Sequence, residues 1–179
     1  MESRTPKAGN VRWLDEREQR AWRGFIRMHA AVQDQLRRQT QRDTDLSLPD
    51  YEVLVALSEA IDGELRSYQL GELLHWEASR LSHQLRRMEG RGLVARRSCG
   101  EDGRGITNTL TEAGRTAIEA AAPLHVAEVR RAFIDRLSDA QLDDLAELAA
   151  AIVPQTAGVP SIVGDSPPDH AELVDEATA

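Results

Sequence analysis

The sequence predicts a mainly α-helical fold with one small β-hairpin, and three observations predict it. Aromatic residues are scarce, at 4% of a 179-residue chain in which Leu, Ala, Arg and Glu abound, a composition that favours helix. Apolar residues recur at helical spacing in separate stretches, such as Leu70, Leu73 and Leu74, then Leu81, Leu85 and Met88. Two short runs that read as strands, Leu93–Arg97 and Ile106–Leu110, flank a Gly-rich polar tip from Gly100 to Gly105. A chain of this length suits one domain with an extension and can bury a sizeable core.

The elements follow in order. Met1 to Asn10 is polar. A long helix is expected from Val11 to about Arg42, with Trp22, Phe25, Ile26, His29, Val32 or Gln33, and Leu36 tracing one stripe. A second helix starts at Leu46-Ser-Leu-Pro-Asp, where Ser47 or Leu48 sits at the cap and Pro49 suits the first turn. It runs to about Ala60 with Tyr51, Val53, Leu54 and Leu57 inward, and Asp62-Gly63 breaks it. Leu65-Arg66-Ser67 is short and extended, and Ser67 can cap the next helix. That helix bends at His75-Trp76-Glu77 into another, Ala78 to Glu89, which Gly92 ends. Two helices meeting at a tight bend, followed by a hairpin, make a winged helix-turn-helix, so the fold class is α+β within a mainly α chain.

Beyond the hairpin, Thr111 is a good N-cap for a helix through about Leu137. Pro123 lies inside it and is expected to kink or split it near Ala120 to Ala122. Ser138-Asp-Ala-Gln141 is a capping box. It opens a last helix with Leu142, Leu145, Leu148 or Ala149, and Ile152 on one face. The tail, residues 154–179, holds four prolines and five acids with no Lys or Arg, a composition that favours disorder. The domain reading is therefore one domain over residues 11–153. Residues 46–110 form its winged helix-turn-helix lobe, and residues 11–45 and 111–153 the helices that flank it.

Charge sharpens the functional expectation. The chain carries a net charge of -8, yet Ser79 to Arg97 holds six arginines against one acid, Glu89. Residues 75 to 104 are net +3 and the remainder net -11. Like-sign clustering against the overall balance marks a phosphate-binding face, and the acidic remainder suppresses non-specific binding. The helix from Ala78 docks by its apolar face and offers donors on the other. Ser79, Arg80, Ser82 and His83 are the candidates for base or phosphate contacts, with Gln84, Arg86 and Arg87 for mainly backbone contacts. A merely solvated charged face is the plainer alternative. At the tip, Arg104 can enter a minor groove, and Asp102 can hold its guanidinium. An ordinary Asp-Gly turn is the alternative there.

The runs LGELLHWEASRLSHQLRRMEGRGLVARR, GEDGRG and LTEAGR resemble the DNA-binding lobe of the multiple-antibiotic-resistance regulator (MarR) family. The resemblance begins at Leu48-Pro-Asp-Tyr-Glu-Val-Leu and extends to about Val153. Three details carry most of it: Arg91-Gly-Leu-Val, Asp102-Gly-Arg104, and Leu110-Thr-Glu-Ala-Gly114 opening a long helix. Glu77 and Ala78 depart from the small polar or basic residues usual at that helix start, and Gly90 stands where Lys or Arg is usual. The resemblance implies a homodimer, more a repressor than an activator, that binds double-stranded DNA at a pseudo-palindrome. It also implies that Leu65-Arg66-Ser67 makes a third strand beside the wing, and that Asp102 and Arg104 take the roles given above. Many such regulators bind a small aromatic effector between the dimer helices and the reading lobe. Trp13, Trp22, Phe25, His29 and Tyr51 would line such a cleft here, or else belong to the core.

Other chemistries find little support. His29, His75, His83, His125 and His170 show no metal-ligand spacing, and Cys99 has no partner cysteine. Arg96 and Arg97 can lower the Cys99 pKa towards a thiolate sensor, although an incidental cysteine is the plainer account. The glycines of the tip lack the ending of a phosphate loop. No nucleophile–base pair, metal set or cofactor loop appears, so neither an enzyme nor a cofactor is expected. No apolar run is long enough to span a bilayer and no signal-peptide pattern is visible, so the expected setting is the cytoplasm, away from membranes. The competing reading is a winged-helix protein-interaction module whose arginine cluster is incidental.

Overall fold

The computed structural model describes residues 11–99 and 105–153. Among these, six helices and three strands follow in the order α1 (Glu16–Asp43), α2 (Leu48–Ser58), β1 (Glu64–Arg66), α3 (Ser67–Leu74), α4 (Ala78–Gly90), β2 (Val94–Cys99), β3 (Gly105–Leu110), α5 (Glu112–Ala132) and α6 (Asp139–Ile152). The mainly helical fold with a small antiparallel sheet is the one expected. The chain divides at Asp34 into two compact units.

In the first unit, α1 begins later than expected, at Glu16 rather than Val11. The cause is a capping box: Asp15 Oδ1 accepts from the Glu18 backbone N–H at 2.8 Å, and Glu18 Oε2 accepts from the Asp15 backbone N–H at 2.8 Å. The stripe itself is solvent-facing within this unit, with Trp22, Phe25 and Ile26 all about half exposed or more.

The second unit is built around α2. Its sequence is apolar all round, which marks a helix buried on every side. Tyr51, Val53, Leu54, Val55, Ala56 and Leu57 are each at most 5% exposed. Ser47 is its N-cap, in a reciprocal capping box with Asp50, and Pro49 occupies the first turn. Around α2 pack α3, α4, α5 and β3. They contribute Leu70, Leu81, Leu85, Met88, Ile118 and Ala121, with Leu93 and Val94 from the wing root.

The sheet has order β1-β3-β2, both pairs antiparallel, with Leu65 opposite Asn108 and Val94 opposite Leu110. The third strand is Glu64–Arg66, one residue earlier than expected. Ser67 therefore starts α3 and Arg66 takes the N-cap position. Ser67 is diverted from capping: its hydroxyl donates to the Ile106 carbonyl at 3.3 Å and accepts from Asn108 Nδ2 at 3.1 Å. The Arg66 backbone N–H is instead satisfied by Gln69 Oε1 at 2.9 Å.

α5 is not split at Pro123, one of the two outcomes expected there, and runs unbroken through it. Pro123 and Glu119, whose carbonyl loses its helical partner, both face solvent, where water can satisfy that carbonyl. The helix ends at Ala132, and a 3-10 turn at Ile134–Arg136 fills the span expected to be helical. Thr111 caps α5 through a bond from the Gly114 backbone N–H at 3.0 Å. α6 opens at the expected Ser138–Gln141 capping box and buries none of its residues.

Candidate nucleic-acid interface

The bend between α3 and α4 is set by His75, which adopts the left-handed conformation at φ 52, ψ 41. The Trp76 backbone N–H then reaches back to the Gly71 carbonyl at 2.9 Å, the bond that closes a Schellman-type helix end. A Cβ on Gly71 would sit 3.3 Å from the Trp76 carbonyl oxygen, so a glycine lets the two turns approach. The bend turns α4 so that Leu81, Leu85 and Met88 enter the core.

On the outward side of α4, Ser79, Arg80, His83, Arg86 and Arg87 are exposed, and Ser82 is half-buried. The structure thus brings six of the seven expected contact residues of this helix onto one accessible surface. Arg80 lies over the Trp76 ring, its guanidinium carbon 4.1 Å from the ring centroid. Stacking uses the flat face of the guanidinium and leaves its edge donors free for a base or phosphate. Trp76, not singled out from the sequence, thereby shapes this surface. Glu52 is also nearby: burial raises its carboxyl above the ordinary range, and the Arg80 charge opposes that rise.

Gln84 is the exception and a correction. It was expected among the outward donors, but it is 3% exposed, and its Nε2 donates to Asp50 Oδ1 at 2.5 Å. The helical periodicity puts it on the boundary between the two faces, and a buried carboxylate draws it inward. Asp50 was read from the sequence only as part of a helix start. It is also the buried partner of Arg91, at 2.6 Å from Nη1, while Arg91 Nη2 donates to the Asp45 carbonyl at 2.5 Å. Burial pushes the Asp50 carboxyl up, but the Ser47 backbone N–H and the Arg91 guanidinium outweigh it and hold the carboxyl below its usual value.

The arginines divide in two. Arg91 pairs with Asp50, Arg96 with Glu89 at 3.5 Å, and Arg97 with Glu64 at 2.6 Å. Arg80, Arg86 and Arg87 pair with no carboxylate among the described residues. The six do not form one undivided cationic ridge, and α4 carries the accessible charge. Asp102 and Arg104, expected at the wing tip, lie outside the described residues.

The aromatic residues considered for a ligand separate by environment. Trp22 stacks on Phe25 at 5.9 Å and Phe25 on His29 at 6.2 Å, all three exposed, and Trp13 is 85% exposed. Tyr51 is buried and stacks on His125 at 4.2 Å. Burial drives His125 down to about 4, against a smaller upward pull from Glu128, and drives the Tyr51 hydroxyl up to about 12. The buried Nδ1 of His125 has no partner among the described residues. Among those residues, no group of three or more His, Cys, Asp and Glu is placed to hold a metal ion, and no helix is long and apolar enough to cross a membrane.

A bent helix pair with an exposed arginine face, backed by a three-stranded sheet, defines a winged helix-turn-helix protein. Residues 44–105 match the sequence profile of the MarR family. AbsC, a MarR family transcriptional regulator from Streptomyces coelicolor, is 40% identical; the alignment covers 79% of this chain and 95% of AbsC, with a TM-score of 0.74. Sco3205, another MarR family regulator from the same organism solved in complex with DNA, is 36% identical over 85% of this chain and 98% of its own, also at 0.74. A variant of MarR from E. coli, complexed with operator DNA, shares the fold at 18% identity, with 75% and 94% of the two chains covered and a TM-score of 0.66. No curated protein matches in sequence. The chain belongs to the MarR family of transcriptional regulators.

Proposed function

We propose that the protein is a sequence-specific double-stranded-DNA-binding regulator that acts as a homodimeric repressor on a pseudo-palindromic operator. One observation carries this reading: the outer face of α4 presents Ser79, Arg80, His83, Arg86 and Arg87 together, with none of its three arginines in a salt bridge among the described residues. Short polar groups near the helix start reach base edges, and the later arginines reach phosphates. Sco3205, seen with DNA, lends support by similarity. Arg104 would add a minor-groove contact, with Asp102 holding it.

Two features support the homodimer. The α1 stripe of Trp22, Phe25 and Ile26 is exposed within its own unit, and α6 leaves Leu148 and Ile152 exposed. Apolar surfaces of this kind call for cover. A symmetric pair would set two α4 helices about 34 Å apart, one turn of duplex. A small aromatic ligand that prefers one dimer state would change that spacing and release DNA; Trp13, Trp22, Phe25, His29 and Tyr51 are the residues proposed to meet it.

The test is a titration of duplex carrying the promoter upstream of the gene, at two salt concentrations. A regulator gives specific binding with a steep salt slope. Flat, micromolar binding to any duplex would favour a protein-interaction module, the reading to which the pairing of Arg91, Arg96 and Arg97 with acids lends weight. Arg104→Ala is expected to weaken the specific complex, and unchanged affinity would remove the wing from this account. A panel of small aromatic molecules, added to the preformed complex, tests release.

A further inference from the structure

One guanidinium on the outer face of α4 is tied through Gln84 to a buried carboxylate. Asp50 is 3% exposed, and both of its carboxylate oxygens are engaged. Oδ2 accepts from the Ser47 backbone N–H at 2.8 Å and from Arg91 Nη1 at 2.6 Å, and Oδ1 accepts from Gln84 Nε2 at 2.5 Å. A carboxylate only accepts, so the Gln84 amide must turn its NH2 group inward. That leaves Gln84 Oε1 as its remaining acceptor, and Arg87 Nη2 donates to it from the exposed side. The chain of bonds runs from a buried anion, through a buried amide, to a guanidinium at the surface.

We propose that Asp50 and Gln84 are positioning residues for DNA binding, holding the Arg87 guanidinium through this carboxylate–amide relay at a fixed point on the outer face of α4, where it meets a backbone phosphate. The proposal rests on the reading of α4 as the DNA-contacting helix. A guanidinium carries five N–H donors, so one bond to Gln84 leaves the others for phosphate. A side chain already tethered gives up less rotamer freedom when it binds. Arg86, its neighbour, is exposed and has no partner among the described residues, and so supplies an internal control.

Two measurements decide the matter. In the free wild-type protein, nitrogen-15 relaxation at the arginine Nε groups should show Arg87 more ordered than Arg86; equal order would overturn the relay. An operator duplex is then selected by the wild-type protein from a randomised pool, and its affinity is measured for Gln84→Met, Arg87→Ala and the double variant. Gln84→Met keeps length and burial and is checked for folding by circular dichroism. It is expected to weaken binding about fivefold and Arg87→Ala about tenfold, with the double variant no weaker than Arg87→Ala alone and base preferences unchanged. Effects that multiply, or a Gln84→Met protein that binds as well as wild type, would sink the proposal. If Gln84→Met does not fold, the relaxation contrast alone decides. Failure of the wild type to select any duplex would instead refute the DNA-binding reading, and the contrast between Arg87 and Arg86 would still report on the relay.

Discussion

Asp50 and His125 are two buried titratable groups with opposite demands on charge. Asp50 is ionised in the fold and held below its usual pKa. A depressed carboxylate adds stability above the unfolded value, near 3.9, and loses it as pH falls through the folded value. Asp50→Asn is expected to cost about 2 kcal/mol at pH 7, because it removes the charge from a buried carboxylate that accepts three hydrogen bonds, while its partner Arg91, 41% exposed, stays solvated. The gap to wild type should close below pH 4 in urea melts, and a gap constant with pH would show that charge is not the cause. His125 is neutral in the fold, its pKa driven to about 4 by burial. The unfolded chain takes up that proton near 6.5, so stability is complete above 6.5 and falls as pH drops from there towards 4. The loss over that window is of the order of 3 kcal/mol, and His125→Phe should flatten it. Neither role was legible in the sequence. Asp50 could be read as a helix start because a cap is local. Its second role joins it to Gln84 and Arg91, 34 and 41 residues away, and only the fold brings them together.

Among the elements, what the sequence revealed was what local chemistry decides. Ser47, Thr111 and Ser138 each cap the helix they precede, since an N-cap needs only its own next turn. The Asp15–Glu18 box carried the same local signal and went unread, so the helix start was set too early, at Val11. Ser67 failed as a cap because β3 competes for its hydroxyl, and Pro123 does not split α5 because the carbonyl it strands faces water. Gly114 offers a direct test of packing between elements. A Cβ there would lie 2.0 Å from the Leu93 carbonyl oxygen, and backbone cannot yield as a side-chain tip can. Gly114→Ala is expected to cost about 3 kcal/mol, read as a fall in denaturant midpoint at unchanged slope. A fall under a few tenths would mean that α5 is free to shift away from the wing root.

For the whole molecule, the charge contrast overstated the extent of the cationic surface, since three of the six arginines pair with acids. Counting residues along the chain cannot see that Glu64 and Asp50 return to neutralise Arg97 and Arg91. The remaining surface gives a specific expectation. Arg86→Ala should weaken DNA binding uniformly across sequences and lower the salt slope by about one, and a changed base preference would place Arg86 at a base edge instead. If α6 and the α1 stripe are covered by a second copy, the thermal midpoint should rise with protein concentration, and a midpoint independent of concentration would argue for a monomer.

The junction at Gly114 also has a mechanical meaning. The Thr111 hydroxyl donates to the Gly92 carbonyl at 2.5 Å, and the Thr111 backbone N–H donates to the Leu93 carbonyl at 3.3 Å, the same carbonyl that lies against Gly114. The foot of the hairpin and the first turn of α5 are thereby riveted at three points. A swing of that long rod is expected to carry the foot of the hairpin with it, as a door handle turns its latch.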